Sequence, residues 1–377
     1  MKIMTLVGTR PDTIKLAPVL FELKSRKNIE SVLCASGQHK EMLQQALDIF
    51  EIKPDINLEV MSKNQTLVSL TNKLIGSISE TLEINKPEIL IVHGDTTTAF
   101  CAALAAFYRQ IPVVHIEAGL RTYNINEPFP EEFNRQAISR IADLNFAPTE
   151  NAKNNLLNEG ILKHKIVVSG NTIVEALTIM RDRLKNNNVI SNNTNLSLRK
   201  ILDFDYLLEN FILITMHRRE NIGSGIISIC EAIIELSKKF PKMRFVLPVH
   251  LNPSVSVDVK NLLSGYGNIK LVTPLAYVEF VALLSEAKLI ITDSGGIQEE
   301  SVSLGKYTLV TRQSTERQEG VDTGLLEVVD TETKKIVESA SKILANPKPD
   351  QIPKVNPYGS GYISKQIVDK ILEYYFI

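Results

Sequence analysis

Two hydrophobic periods alternate along the chain. Short aliphatic and β-branched runs predict buried strands. In the first half these are Lys2–Val7, Ser31–Ala35, Glu88–Val92, Val113–Ile116 and Leu144–Ala147. Between them apolar residues recur at helical spacing. Leu67, Leu70, Leu74, Ile75, Ile78 and Leu82 trace one face of a helix over Thr66–Asn85. Further helices are predicted from Pro11 to about Ser25 and over His39–Phe50, Ala99–Tyr108 and Glu131–Ile141. Pro11 suits a first helical position, where its missing N–H costs nothing. The second half repeats this grammar. Strands are predicted at Ile166–Val168, Phe211–Met216, Arg244–Pro248, Ile269–Val272, Leu289–Thr292 and Tyr307–Thr311, and helices at Ile173–Lys185, Tyr277–Glu286 and Ser364–Tyr375. The Asn-rich stretch Lys185–Asn195 reads as a surface loop. Alternating strands and helices mean βαβ units and parallel sheets. The expected class is α/β, with two Rossmann-like doubly wound domains facing a cleft. Their expected extents are 1–168 and 169–363, with 364–377 packing back on the first.

The reactive side chains cluster where strands end. Arg10, Asp95, Glu117, His217, His250, Ser294 and Arg312 each follow the carboxyl end of a predicted strand, which is where open parallel sheets bind ligands. Ser294, Gly295 and Gly296 join one strand to the helix-forming IQEESVSL. Free N–H groups and the positive end of the helix dipole make that junction an anion site. A phosphate can approach the backbone closely only where no Cβ intrudes. Glu300 lies four residues past Gly296, about 5.4 Å along a helix, where its carboxylate could accept from both ribose hydroxyls.

Gly8-Thr9-Arg10 stands where a dinucleotide-binding protein would carry G-x-G-x-x-G. Fixed cations at Arg10 and Lys15 suit a diphosphate and disfavour NAD. Arg317, just beyond the Ser-Gly-Gly junction, could clamp a diphosphate bidentately. Asp95, Glu117, Glu131 and Glu132 supply several carboxylates to the first half, and crowding such groups separates their pKa values as acid–base work requires. His93 and His115 read as packed, hydrogen-bonded core histidines. The H-x-D and H-x-E spacings match no metal motif.

Composition narrows the classes further. A chain of 377 residues can form two cores of ordinary size. Lys and Arg total 42 against 43 Asp and Glu, a net charge of −1, so no bulk electrostatic case exists for nucleic acid or a membrane surface. Cys34, Cys101 and Cys230 are widely spaced and read as reduced structural thiols of a cytoplasmic protein. The apolar part of MKIMTLVGTR is too short for a signal peptide, and no run approaches a bilayer span.

The motifs GTRP-x-x-IK, HGDTTT, HIEAGLRT, PFPEE-x-NRQ, APT, HRREN, PVHLNP, TDSGGIQEE and TERQEG occur in this order. Together they resemble the non-hydrolysing bacterial UDP-N-acetylglucosamine 2-epimerases, from Thr5 to the NPYGSG around Gly359. The resemblance implies a GT-B-like pair of domains, usually in a homodimer, using neither NAD nor metal. The implied reaction interconverts UDP-GlcNAc and UDP-ManNAc by anti elimination of UDP to a 2-acetamidoglucal and syn re-addition, supplying ManNAc for surface polysaccharides. Asp95, Glu117 and Glu131 match the acid/base set, and His217 a catalytic or diphosphate-stabilising residue. Arg10, Lys15, Arg219, Ser294, Gly295, Gly296, Glu300 and Arg317 match nucleotide ligands. Phe280 matches a residue beside the uracil. Leu275 stands where some members have Gln, so only its backbone is expected there. A second, activating UDP-GlcNAc is implied by Gln38, Glu132, Arg218 and His250. Glu41 replaces a Gln and Asn64 an Arg among their neighbours, which should weaken anion binding. The alternatives are a hydrolysing 2-epimerase that releases ManNAc and UDP, and a GT-B glycosyltransferase.

Overall fold

The computed structural model describes residues 1–37, 40–62, 65–249, 253–346, 350 and 352–375, without the side chains of 40–42, 219, 253 and 254. Two sheets carry the described chain, and every strand pair in them is parallel. The first is built from β1 (Lys2–Val7), β2 (Glu30–Ala35), β3 (Ile56–Asn57), β4 (Ile89–His93), β5 (Val113–Ile116), β6 (Leu144–Ala147) and β7 (Ile166–Val168). Its order is β3-β2-β1-β4-β5-β6-β7. The second holds β8 (Phe211–Thr215), β9 (Arg244–Pro248), β10 (Ile269–Val272), β11 (Leu289–Thr292), β12 (Thr308–Val310) and β13 (Leu326–Val328), in the order β10-β9-β8-β11-β12-β13. Helices cover both faces of such sheets, which is why the strands read as unbroken apolar runs instead of alternating ones. Met4, Leu6, Leu90 and Val92 pack with Leu74, Ile78 and Ala102 in the first core, and Ile212, Ile214, Phe245 and Ile291 with Ile229 and Ile233 in the second.

In each sheet the strand order reverses once, between β1 and β4 and between β8 and β11. Neighbouring connections leave in opposite directions at such a switch point, so a crevice opens at the strand exits. Gly8-Thr9-Arg10 and His93–Thr96 border the first crevice. His217-Arg218 and Asp293-Ser294 border the second.

One unit comprises Met1–Ala176 with Tyr358–Ile377, and the other Leu177–Pro357. The division falls within the helix Thr172–Asn186 and ahead of Tyr358, not at 168/169 and 363/364 as expected from sequence. Local contacts explain both shifts. Glu175 accepts from Ser364 N–H at 2.6 Å and from its hydroxyl at 2.7 Å, tying the start of that helix to the final helix Ile363–Tyr375. Asn171 N–H donates to the Tyr358 carbonyl at 2.8 Å. A Cβ on Gly170, whose φ is +87°, would lie 2.6 Å from that oxygen, so the returning chain can lie here only against glycine.

The expected loop over Lys185–Asn195 is helical. Asn187 caps a second helix, Asn188–Leu202, by accepting from the N–H groups of Val189 and Ile190. Thr194, Leu198 and Leu202 form its buried stripe. Most of that stripe lies downstream of the Asn cluster, where the loop signal masked it. Among the described residues no helix is long and apolar enough to cross a membrane.

Candidate active site

The first crevice is lined by groups from four strand exits and two helices. Gly8 lets β1 close on the helix Thr97–Tyr108, since a Cβ there would meet the Thr98 hydroxyl at 2.4 Å. The helix Arg10–Ser25 starts at once. Its third residue, Asp12, accepts at Oδ2 from the N–H groups of Gly8 and Thr9, at 3.3 and 3.2 Å, and from Thr96 at 3.4 Å. One turn on, Lys15 reaches back to Glu117, with Nζ 2.5 Å from Oε1. Asn171, beyond the end of β7, donates to the same oxygen at 2.7 Å. Glu117 is held at φ +63°, a left-handed conformation that non-glycine residues adopt only when their surroundings enforce it.

Asp95 is half-buried after β4. Burial pushes its pKa up; Arg135 opposes this, and the charges of Glu117 and Glu131 add to it. Arg135 Nε lies 3.7 Å from Asp95 Oδ2 and 3.0 Å from Glu132 Oε2. Glu131 is half-buried in the first turn of the helix Glu131–Ile141. Glu132 points the other way. It has no exposed side-chain surface and accepts from Thr122 N–H, Tyr123 N–H and Gln136 at 3.0, 3.1 and 2.7 Å. Burial opposes its ionisation, but Arg135 and these donors outweigh burial and lower its pKa. Its carboxylate therefore fastens the loop after β5.

The second crevice centres on Asp293. Its Oδ2 accepts from the backbone N–H groups of His217 and Arg218, both at 2.9 Å, and from Asn221 at 3.2 Å. Oδ1 lies 3.0 Å from His217 Nδ1. Burial opposes the charge on Asp293, and the contacts with His217 and Arg218 more than compensate, lowering its pKa. The ring of His217 is thereby oriented from one side, with 38% of the side chain exposed.

Ser294 stands at the N-cap position of the helix Gly295–Ser303 just beyond β11, with its N–H donating to Thr292 Oγ1 at 3.0 Å. The two glycines that follow have different neighbours. A Cβ on Gly295 would lie 2.5 Å from the Arg317 guanidinium carbon, whereas one on Gly296 would meet none of the described residues within 4 Å. Arg317 is buried, with Nε 3.0 Å from Glu299 and an ion pair to Glu316. Burial opposes ionisation of Glu316, but Arg317, Arg312 and Arg218 hold it well below the usual carboxylate range. Glu300 is buried too, and the Tyr277 hydroxyl donates to it at 2.8 Å. Leu275 is buried and Phe280 half-buried at the start of the helix Tyr277–Glu286.

Comparison with known proteins then decides the lineage. A UDP-N-acetylglucosamine 2-epimerase of Neisseria meningitidis is 47% identical, over 99% of this chain and 100% of its own. The family model described as UDP-N-acetylglucosamine 2-epimerase matches residues 21–372. The chain belongs to the UDP-N-acetylglucosamine 2-epimerase family. The crystal structure of the Neisseria meningitidis UDP-GlcNAc 2-epimerase bound to UDP-GlcNAc superposes with a TM-score of 0.94, covering 99% of this chain and 100% of that one. The Methanocaldococcus jannaschii UDP-GlcNAc 2-epimerase in complex with UDP-GlcNAc and UDP is 33% identical with a TM-score of 0.86, over 99% and 100%. A glycotransferase of kitacinnamycin, at 11% identity and a TM-score of 0.63 over 98% of each chain, shares the fold alone, in keeping with the GT-B-like class.

Within this 2-epimerase chain, the first crevice brings together Lys15, Asp95, Glu117 and Glu131 of the expected set, with Arg10 half-buried at its edge. The second gathers His217, Arg218, Ser294, Gly295, Glu300 and Arg317. The expected residues Gln38, Asn64 and His250, and the side chains of Glu41 and Arg219, lie outside the described residues. Asp12, Asn171 and Asp293 were missed by sequence reasoning. Asp12 was signalled by its place three residues after Thr9, as in a capping box; Asn171 and Asp293 act across the sheets and left no local signal. His115 is the expected packed histidine, its Nε2 2.8 Å from the Gly94 carbonyl. His93 is packed as expected but not hydrogen-bonded, since among the described residues neither of its ring nitrogens has a hydrogen-bond partner.

Proposed function

We propose that this chain interconverts UDP-N-acetylglucosamine and UDP-N-acetylmannosamine without releasing free sugar, as an enzyme serving surface polysaccharide synthesis. The observation that carries this reading is the carboxylate group of the first crevice. Asp95 is pushed up by burial and by the charges of Glu117 and Glu131, while Glu117 is paired with Lys15 at 2.5 Å. Carboxyl groups with separated proton affinities can take a proton from one face of C2 and return one to the other. C2 is not adjacent to a carbonyl, so direct deprotonation would be prohibitive. Anti elimination, in which UDP leaves C1 as the C2 proton is taken, puts the departing charge on the diphosphate. Syn re-addition to the 2-acetamidoglucal then restores the C1 bond.

UDP in this reading is held by the second unit. Ser294 N–H is bonded to Thr292 Oγ1 at 3.0 Å, so the backbone N–H groups of Gly295 and Gly296 and the guanidinium of Arg317 take the diphosphate. Glu300, braced by Tyr277, takes the ribose, and His217, oriented by Asp293, stabilises the leaving group. Arg10 and Lys15 contribute cations, and Phe280 and the Leu275 backbone meet the uracil. A homodimer fits the apolar residues exposed on three helices of the first unit that pack side by side: Val68, Phe107, Tyr108 and Phe133 are 70, 52, 71 and 47% exposed. An NMR time course with UDP-GlcNAc alone in deuterated water tests the reaction. UDP-ManNAc should accumulate with deuterium at C2 and without free UDP. Stoichiometric UDP and ManNAc would mean a hydrolysing enzyme, and unchanged UDP-GlcNAc would defeat the reading.

A further inference from the structure

His93 ends β4 with 3% of its surface exposed, and among the described residues neither ring nitrogen has a hydrogen-bond partner. A buried polar group left unpaired is costly, so the nearest acceptors matter. Nε2 lies 3.5 Å from Glu117 Oε2, and Nδ1 lies 4.0 Å from Asp12 Oδ1. The imidazole thus stands between two carboxylates, one on each nitrogen. We propose that His93 is a positioning residue for Glu117, held by Asp12 in the tautomer that carries its proton on Nε2.

The roles of the oxygens agree with this. Oδ2 of Asp12 is taken by Gly8, Thr9 and Thr96, which leaves Oδ1 toward the ring. Oε1 of Glu117 accepts from Lys15 and Asn171, and Oε2 faces the ring at 3.5 Å from Nε2. A proton on Asp12 Oδ1 would donate to Nδ1 once the 4.0 Å gap between them closes. The ring's own proton then sits on Nε2, and both oxygens of Glu117 are fixed. Contacts of this kind are often long in the absence of substrate and tighten when it binds.

The charges facing the ring act in the same sense. Burial drives the His93 pKa down to about 3; Glu117 opposes this, while Lys15 and His115 reinforce it, so the ring stays neutral with a single proton to place. Burial raises Asp12 to about 7, with the bonds from Thr9 and Gly8 opposing and the charge of Asp95 adding. Asp12 therefore carries its proton below neutrality and loses it above. An ionised Asp12 draws the ring proton to Nδ1 and takes the donor away from Glu117.

This inference rests on the reading of Glu117 as an acid/base group, and its test separates the two. Nitrogen-15 NMR of the His93 ring in the full chain, without substrate, reports the tautomer directly. An Nε2–H ring at pH 6 is expected, and an Nδ1–H ring overturns the proposal whatever the enzyme does. In the UDP-GlcNAc assay, wild-type turnover reports on the functional reading alone. His93→Leu should lower kcat about tenfold or more, the loss of a hydrogen bond to a charged group, with KM within about twofold. His93→Gln, whose amide N–H can stand in for Nε2–H, should recover much of that loss. Asp12→Asn supplies a permanent donor to Nδ1 and should abolish the alkaline fall in kcat of the wild type. A His93→Leu enzyme with wild-type kcat overturns the proposal. If that variant does not fold, an Asp12→Asn enzyme with an unchanged alkaline limb does so instead.

Discussion

Gly295 and Gly296 sit side by side in one helical turn, yet alanine should affect stability in opposite ways at the two positions. A Cβ on Gly295 would lie 2.5 Å from Cζ of Arg317 and 2.6 and 2.8 Å from its terminal nitrogens. Carbon atoms in good contact are about 3.5–4.0 Å apart, so the guanidinium must retreat by about 1 Å. It is not a loose end, because Glu299 and Glu316 both hold it. Losing one charge-assisted hydrogen bond costs about 1.5–3 kcal/mol, and alanine returns roughly 0.5–1 kcal/mol over glycine inside a helix. The net loss of about 0.5–2.5 kcal/mol should lower Tm by roughly 1–10 °C for a unit of this size. Gly295→Ala should also weaken UDP about tenfold through the displaced Arg317. Gly296→Ala meets open space, so Tm should stay level or rise by the effect of about 0.4–1 kcal/mol that a compatible Gly→Ala change brings. If a phosphate seats against the backbone here, the new methyl occupies its place and UDP affinity falls about tenfold or more. Thermal unfolding and isothermal titration with UDP separate the two effects. A Gly296→Ala protein that binds UDP as tightly as wild type would refute the backbone-cradle reasoning.

Asp95→Asn, Glu117→Gln and Glu131→Gln should each cut turnover by about 100-fold, in the range of general acid–base loss, while titrated UDP affinity stays near wild type; all three active within a few-fold would remove the acid/base assignment. Because burial raises Asp95, a rate that needs its ionised form should fall on acidification at a pH above the ordinary carboxylate range, a limb absent from Asp95→Asn. Glu300→Ala should weaken UDP but leave inorganic pyrophosphate binding unchanged, and equal losses for both ligands would end the ribose role. The reverse reaction from pure UDP-ManNAc should start without a lag and need no added UDP-GlcNAc. Asn64 supplies no guanidinium, and the Glu132 carboxylate is spent on Thr122 and Tyr123; a lag abolished by a trace of UDP-GlcNAc would show a working activator site.

Much of the site was legible because strand exits are legible. Apolar runs end abruptly at Val7, Val92, Ile116 and Thr292, and the polar residues that follow are forced to the carboxyl edge of a parallel sheet. Arg10, Asp95, Glu117, His217 and Ser294 all follow from that one-dimensional rule. Short-range signals also sufficed for the helix starts near Arg10 and Glu131. The same reasoning failed over Lys185–Asn195, where Asn187 acts as a cap and the stripe Thr194, Leu198 and Leu202 decides for helix. Local propensity there is outweighed by burial, which is a property of the neighbours.

The chain by itself determined the class of fold, the strand exits and the inventory of acids and cations, because each depends on residues close together in sequence. Tertiary structure decided what those groups do to one another. Glu131 and Glu132 are adjacent and chemically alike, yet one is half-exposed and the other is sealed beneath Thr122 and Tyr123. Gly295 and Gly296 are identical in sequence terms, yet only one has Arg317 across it. The same is true of Asp293 behind His217 and of His93 between Asp12 and Glu117. Burial and charge act through distances of a few ångströms, and these partners are brought that close only by the order of strands in the folded sheets.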